Sequence, residues 1–206
     1  MKIISLSDTH TKHRQITIPK GDILIYAGDF EIRNRIDLLE MKEWLEEQPH
    51  KHIITIFGNH DFTNQADTKW IRDFFGKRIN YLCNDSVTIN GLKIWGSSYS
   101  PLFNDWAWMK PDNDLKEIWD KIPKGTSVVV THAPCYGILD QVLPRMESVG
   151  SRTLKDRIKE VHPKIHIAGH IHESAGRYTD GKTDYFNVSI LNSQYQLENP
   201  CTIINI

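Results

Sequence analysis

Five short clusters of aspartate, asparagine and histidine recur along this chain, each directly after a run of apolar, mostly β-branched residues. They are Ser7-Asp8-Thr9-His10, Gly28-Asp29, Gly58-Asn59-His60-Asp61, Thr131-His132 and Gly169-His170-Ile171-His172. Short β-branched runs read as strands, so the clusters fall where strands end. Open α/β sheets build their sites at the carboxyl ends of their strands. One cluster would carry little weight, because a lone histidine is more often packed than ligating. Five in series predict an α/β fold whose strand ends assemble a metal site.

With 206 residues the chain is long enough for a substantial core and is read as one domain over 1–206. A formal net charge of −1 gives no bulk attraction to phosphate polymers, so long nucleic acid is not an expected partner. A small nucleotide is compatible with it. Cys83, Cys135 and Cys201 share no zinc-finger or CxxC spacing and leave an odd number for disulfides. They are expected as free thiols in a reducing compartment. Met1-Lys2 leads straight into an apolar, motif-bearing strand, and no apolar run reaches membrane-spanning length. A cytoplasmic protein without a membrane partner is the expectation. Asn187-Val188-Ser189 fits a glycosylation sequon but reads as ordinary loop or strand.

Strands are expected at Lys2–Ser7, Ile23–Ala27, His52–Phe57, Ser127–Thr131 and Lys164–Ala168, with terminal strands at Tyr185–Ser189 and Thr202–Asn205. Asn90-Gly91, between Val87–Ile89 and Leu92–Gly96, is the strongest hairpin signal. Helices are expected over Asn34–Glu47, with Ile36, Leu39, Trp44 and Leu45 inward, over Asn64–Phe75 and Asp114–Lys121, and over Ser151–Val161. Helices between strands predict a layered α/β sandwich. Tyr99–Asn113 is aromatic and irregular, the character of a lid or binding loop.

Asp8 and His10 stand two residues apart, and an extended backbone would turn both toward one cation. The same spacing joins His170 and His172. Asp29 carries two oxygens that can bridge two metals, Asn59 offers an amide oxygen, and His132 an imidazole nitrogen. A donor set of carboxylate, amide and imidazole without thiolate suits manganese, iron or zinc better than calcium. Two such cations lower the pKa of water and neutralise charge on a phosphoryl group, so the expected chemistry is in-line attack on phosphorus.

Asp8-x-His10, Gly28-Asp29, Gly58-Asn59-His60-Asp61, His132 and Gly169-His170-x-His172 together resemble the signature of the calcineurin-like metallophosphoesterase superfamily. Ser7–His10, Gly21–Leu24, Thr131–Pro134, Gly169–Glu173 and Thr179–Gly181 are similar to one subgroup, the metallophosphoesterase-domain-containing proteins related to class III cyclic nucleotide phosphodiesterases. The resemblance implies a four-layer α/β/β/α sandwich with two central mixed β-sheets. It implies one divalent metal on Asp8, His10, Asp29 and His172, and a second on Asp29, Asn59, His132 and His170. Manganese is the first expectation, with iron, zinc or magnesium as alternatives. Asn59, His60 and His132 are implied as substrate contacts, His60 as the catalytic acid and Asp61 as the carboxylate that orients it. Asp61 also reads as a helix N-cap.

One departure touches the site. The glycine that many members carry shortly after Gly28-Asp29 is absent from Phe30-Glu31-Ile32-Arg33-Asn34. His13, His50, His52, His162 and His166 match no motif and are expected to pack or face solvent. Trp106 and Trp108 are open between stacking on a base and packing in the core. The resulting function is hydrolysis of a small phosphodiester such as a cyclic nucleotide. The alternatives are a phosphomonoesterase, a nuclease, or a nucleotide-binding regulatory module with little turnover. Oligomeric state is left open by the sequence.

Overall fold

Alternation within the apolar runs decides the layering. The computed structural model describes residues 1–63 and 67–206. Its first half consists of β1 (Lys2–Leu6), β2 (Ile23–Ala27), α1 (Arg35–Glu46), β3 (His52–Ile56), α2 (Thr68–Phe75) and β4 (Ile79–Tyr81). Strands β1 to β4 lie side by side and parallel. Ile3, Ile23, Ile25 and Ile54 belong to one apolar layer, whereas their neighbours Ile4, Leu24, Tyr26 and Ile53 belong to another. That second layer holds Leu38, Met41, Trp44 and Leu45 of α1 with Ile71 and Phe75 of α2. A parallel sheet covered on both faces requires such continuous apolar strands.

The second half runs β5 (Asp85–Ile89), β6 (Leu92–Ser97), β7 (Ser100–Pro101), β8 (Met109–Lys110), α3 (Asp112–Trp119), β9 (Val128–Thr131), β10 (Gln141–Val142), β11 (Glu147–Ser148), α4 (Arg152–Val161), β12 (Ile165–Ala168), β13 (Gly176–Thr179) and β14 (Asp184–Asn187). A six-stranded sheet in the order β13-β14-β12-β9-β6-β5 has parallel inner strands and antiparallel edges. β15 (Thr202–Asn205) returns antiparallel to β1 and completes a five-stranded mixed sheet. Ile94, Val128, Val130, Ile165 and Ile167 share the layer of Ile3, Ile25 and Ile54, so this core lies between the sheets. Trp95, Val129 and Tyr185 pack with Leu115, Ile118 and Trp119 of α3 and Leu154 and Ile158 of α4. The order is helices, sheet, sheet, helices, which is the expected four-layer sandwich. Truncating a fully buried member such as Ile25 to alanine should cost about 2–5 kcal/mol.

Local signals account for the boundaries. Asn34 caps α1, its side-chain oxygen accepting from the Ile36 and Asp37 N–H groups, and Ser151 caps α4 through Leu154 N–H. Asn90 and Gly91 have φ of 49° and 82°, the left-handed pair that a two-residue hairpin needs between β5 and β6. The expected inward face of α1 needs correcting. Trp44 and Leu45 are buried as expected, together with Leu38 and Met41, but Ile36 is 78% and Leu39 46% exposed. The expected helix Asn64–Phe75 is seen as Thr68–Phe75, and residues 64–66 lie outside the described part. All three cysteines are buried free thiols. Among the described residues no helix is long and apolar enough to cross a membrane.

Candidate metal centre

Each motif cluster leaves the carboxyl end of a parallel strand: β1, β2 and β3 in the first sheet, β9 and β12 in the second. The two sheets meet there, joined by a bridge between Ser7 and Ser189. The chain turns sharply as it leaves the strands. Asp8, His10, Asp29 and His170 have φ of 56°, 39°, 59° and 68°. Such left-handed backbone at non-glycine residues is uncommon and clusters at functional sites. It also corrects the extended-backbone reading, in which Asp8 and His10, and His170 and His172, were to share a face. Gly58 is required by closeness: a Cβ there would fall on the Asp29 carboxylate and 2.6 Å from His132 Nε2.

Among the described residues the turns gather three groups of candidate ligands. Asp8, His10 and His172 form one, Asp29, His132 and His170 another, and His10, Glu31 and His60 a third, with donor atoms in each group within 4.8 Å of one another. Asp29 falls with His132 and His170 alone, and Asn59 Oδ1 stands 3.0 Å from His132 Nε2 beside that group. His170 and His172 therefore serve different groups, although only Ile171 separates them.

The ring tautomers indicate what belongs between these side chains. His132 Nδ1 donates to the Ala27 carbonyl at 2.9 Å and His172 Nδ1 to the Asn192 carbonyl at 3.1 Å. His10 Nδ1 donates to the Glu31 carboxylate at 2.8 Å. In a neutral ring the remaining Nε2 then carries a lone pair. His132 Nε2 faces Asp29 Oδ2 at 3.2 Å, and His172 Nε2 faces Asp8 Oδ1 at 3.5 Å. His10 Nε2 lies 3.7 Å from Asp29 Oδ2 and, though buried, has no hydrogen-bond partner among the described residues. Acceptors converging on acceptors need cations among them, and anchoring Nδ1 to a carbonyl or carboxylate is how proteins aim histidine ligands. The residues present fit divalent metal ions.

Electrostatics agree. Burial would raise the Asp8 and Asp29 carboxyls, but the surrounding imidazoles hold Asp8 well below the usual carboxylate range and bring Asp29 down to about 2. Asp8 is further held by the Ser7 and Ser189 hydroxyls and the His170 N–H. Burial would lower His132, yet Asp29 and Asp8 lift it to about 9. Without an ion, the carboxylates draw a proton onto the ring instead. His170, with burial and His132 against it, is pushed down to about 4 and stays neutral.

Asp61 requires a correction. Its carboxylate accepts from the N–H groups of Gly58, Asp29, Phe30, Glu31 and Ile32, at 2.9–3.2 Å, and orients neither His60 nor a helix. Asp67 caps α2 instead. Asp61 staples the second motif loop to the third, and burial with the nearby Asp29 charge pushes its carboxyl up to about 6 against those donors. The carboxylate on His60 is Glu31, 3.5 Å from Nδ1, and the same oxygen takes the His10 hydrogen bond. Both imidazoles hold the Glu31 carboxyl well below its ordinary value. Glu31 occupies the segment where the family glycine is missing, and with φ of 82° it adopts the backbone a glycine would supply. No motif marks it. Its only signal was an acidic residue two places after Asp29.

The centre opens into a cleft of about 360 Å³ lined by His10, Asp29, Asn59, His60, His170 and His172, with aromatic and aliphatic side chains beyond them. Tyr195 lies edge-on to His10 and His172, at 4.8 and 5.0 Å between ring centroids. The two tryptophans divide: Trp108 is fully buried and donates to the Asp61 carbonyl, whereas Trp106 lines the cleft 4.7 Å from the His60 ring. His13 is buried against Phe30 and bonded to Glu40, and Arg14 pairs with Glu40 and Glu47, so neither reaches the centre.

Comparison with known proteins accords with this architecture. Residues 1–174 match the model of the calcineurin-like phosphoesterase family. Human metallophosphoesterase domain-containing protein 1 is 33% identical, over all of this chain and 71% of that protein. A Caenorhabditis elegans protein of the UPF0046 group is 32% identical, over 96% of this chain and 72% of its own length. The crystal structure of TT1561 of Thermus thermophilus shares the fold with a TM-score of 0.59 and 12% identity, covering 96% of each chain. The chain belongs to the calcineurin-like phosphoesterase family, whose members are phosphoester hydrolases that use divalent metal ions.

Proposed function

We propose that this protein hydrolyses a small phosphodiester, such as a cyclic nucleotide, at a centre of two divalent metal ions, with manganese the first choice. The observation that carries the reading is the convergence of three anchored imidazoles on Asp8 and Asp29. Asp8, His10, Asp29 and His172 would hold one ion, and Asp29, Asn59, His132 and His170 the other. Bound there, the ions would lower the pKa of a water molecule and offset charge on the phosphoryl group.

The chain's own residues supply the rest. His60 borders both the metal groups and the cleft, where its ring can give a proton to the leaving oxygen. Burial would lower its pKa, but Glu31 and Asp29 raise it and favour the protonated ring that an acid requires. Glu31 holds Nδ1 and leaves Nε2 for substrate. Asn59, which lines the cleft, is the further substrate contact, whereas His132, expected as another, is fully buried and does not line it. Among the described residues lining the cleft there is no lysine or arginine. A singly charged diester is better matched to such a lining than a doubly charged monoester, which would need cations beyond the ions.

The test compares bis(p-nitrophenyl) phosphate with p-nitrophenyl phosphate, using metal-stripped protein with and without added manganese. Manganese-dependent cleavage favouring the diester is expected. Preference for the monoester would make the protein a phosphatase, and no turnover of either with two ions bound would contradict the enzyme reading.

A further inference from the structure

The sequon-like triplet Asn187-Val188-Ser189 is closed to a glycan in the folded protein, because Asn187 is 2% and Ser189 1% exposed. β14 ends at Asn187, and Ser189 just beyond it bridges to Ser7, where the two sheets join. The backbone alone makes that seam: Ser7 N–H donates to the Val188 carbonyl at 3.1 Å and Ile190 N–H to the Ser7 carbonyl at 3.2 Å. The two serine hydroxyls add nothing to it, and both end on Asp8.

Ser189 Oγ donates to Asp8 Oδ2 at 2.7 Å, and the Ser7 hydroxyl bonds the same oxygen. The His170 N–H is shared between the two carboxylate oxygens, at 3.0 and 3.1 Å. With both hydroxyls on Oδ2, Oδ1 is left toward His172 Nε2, 3.5 Å away. Asn187 fixes Ser189 in turn. Its Nδ2 donates to the Ile171 carbonyl at 2.8 Å and the Leu139 carbonyl at 3.2 Å, which sets the amide with Oδ1 toward Ser189. Oδ1 accepts from Ser189 N–H at 3.2 Å and lies 2.9 Å from Ser189 Oγ. The hydroxyl has one proton for two acceptors, and an ionised carboxylate is the stronger of them.

Further along the same segment, the Asn192 carbonyl takes the Nδ1 hydrogen bond of His172. One stretch from Asn187 to Asn192 therefore holds both Asp8 and His172. His132 takes its Nδ1 anchor from Ala27 on β2, outside that stretch.

We infer that Asn187 and Ser189 are positioning residues for the ion held by Asp8, His10 and His172, acting through Asp8 Oδ2 and the Ile171 carbonyl. Their role rests on the two-ion centre proposed above and refines one half of it. Neither residue lines the cleft, so neither meets substrate. Held at Oδ2, the carboxylate presents Oδ1 in one orientation, and outer partners of this kind tune how tightly a ligand binds its metal.

Calorimetric manganese titration of metal-stripped wild type, Ser189→Ala and Ser189→Thr tests this, with urea unfolding of the ion-free proteins alongside. Wild type should take up two equivalents. Ser189→Ala should bind one of them roughly 10–100-fold more weakly and leave the other unchanged, the range for a lost partner of a metal ligand. Ser189→Thr keeps the hydroxyl and should restore the weakened step. Asn187→Ala should weaken the same step, and Ser189→Ala, which deletes one hydroxyl, decides the matter if that variant fails to fold. Two equivalents bound by Ser189→Ala as tightly as by wild type would overturn the positioning role and leave the two-ion centre standing. So would equal weakening of both steps in company with a lower urea midpoint. Fewer than two equivalents in wild type would refute the centre itself, and the role with it.

Discussion

His166 on β12 and His132 just beyond the neighbouring β9 are both buried, yet the protein treats them in opposite ways. His166, on β12, faces Thr131 Oγ1 at 2.8 Å and the Cys135 thiol, with no carboxylate paired to it among the described residues, and burial drives its pKa down to about 3. His132, just past the end of β9, suffers the same burial but is lifted to about 9 by Asp29 and Asp8. The lesson concerns position along the strand. Inside the sheet a histidine is a neutral, satisfied core residue, and beyond the strand end the same residue type meets the carboxylates of the opposite sheet. The local sequences, Val130-Thr131-His132 and Lys164-Ile165-His166, hold no carboxylate that would set the two apart. The difference is made by Asp8 and Asp29, brought across by β1 and β2.

The most severe way to break the comparison is to remove Asp29, the carboxylate proposed to serve both ions. Asp29→Ala should abolish turnover and strip both ions, because Asp29 is proposed to serve both; two ions retained on metal analysis would refute that role. Next comes His60→Ala, expected to lower kcat by about 10²–10⁴ with metal content intact. Retained activity would remove His60 from the mechanism. Glu31→Gln should cost roughly 10–100-fold in metal affinity or turnover, the range for a residue that orients a ligand, and Glu31→Asp should recover part of it. Identical kinetics for wild type and Glu31→Gln would leave the ring contacts without consequence.

The smallest effect separates the two histidines by pH. His166 has a folded pKa of about 3 against 6.5 unfolded, so the unfolded chain binds the extra proton between those values. Its contribution is complete above pH 6.5 and is lost as pH falls toward 3. Going from pH 7 to pH 5 should therefore cost about 2 kcal/mol from this residue. Urea unfolding of wild type and His166→Gln at both pH values checks this, and an equal pH dependence in the two would contradict it. His132 has the opposite sign in ion-free protein: its proton stabilises below pH 6.5 and that contribution is lost as pH rises through about 9.

Much of this was legible in the sequence. The apolar runs marked nearly every inner strand, because strands buried on both faces must be continuously apolar. The five clusters named Asp8, His10, Asp29, His132, His170 and His172, which the structure brings together, with Asn59 beside them and His60 beside the cleft, but not Glu31 of the third group. Direction was not legible: the spacing of Asp8 with His10 was read on an extended chain, and left-handed turns set them instead. The partner of His60 was also missed. Asp61 follows it in the chain, but the loop from Asp29 to Ile32 claims that carboxylate and delivers Glu31 in its place. Trp106 and Trp108 are two residues apart in an irregular segment, where no periodicity separates a core ring from a cleft ring. Strands Ile79–Tyr81 and Gly176–Thr179 escaped notice because one is very short and the other is an edge strand exposed throughout.

The central claim is that two ions, and not protons, belong among these carboxylates and imidazoles. Manganese titration of the metal-stripped protein, followed by calorimetry in buffers of different ionisation enthalpy, measures stoichiometry and proton release together. The account predicts two equivalents bound, with protons released near neutral pH as His132 gives up the one that Asp29 and Asp8 had drawn to it. A single equivalent, or two bound with no proton released, would contradict it.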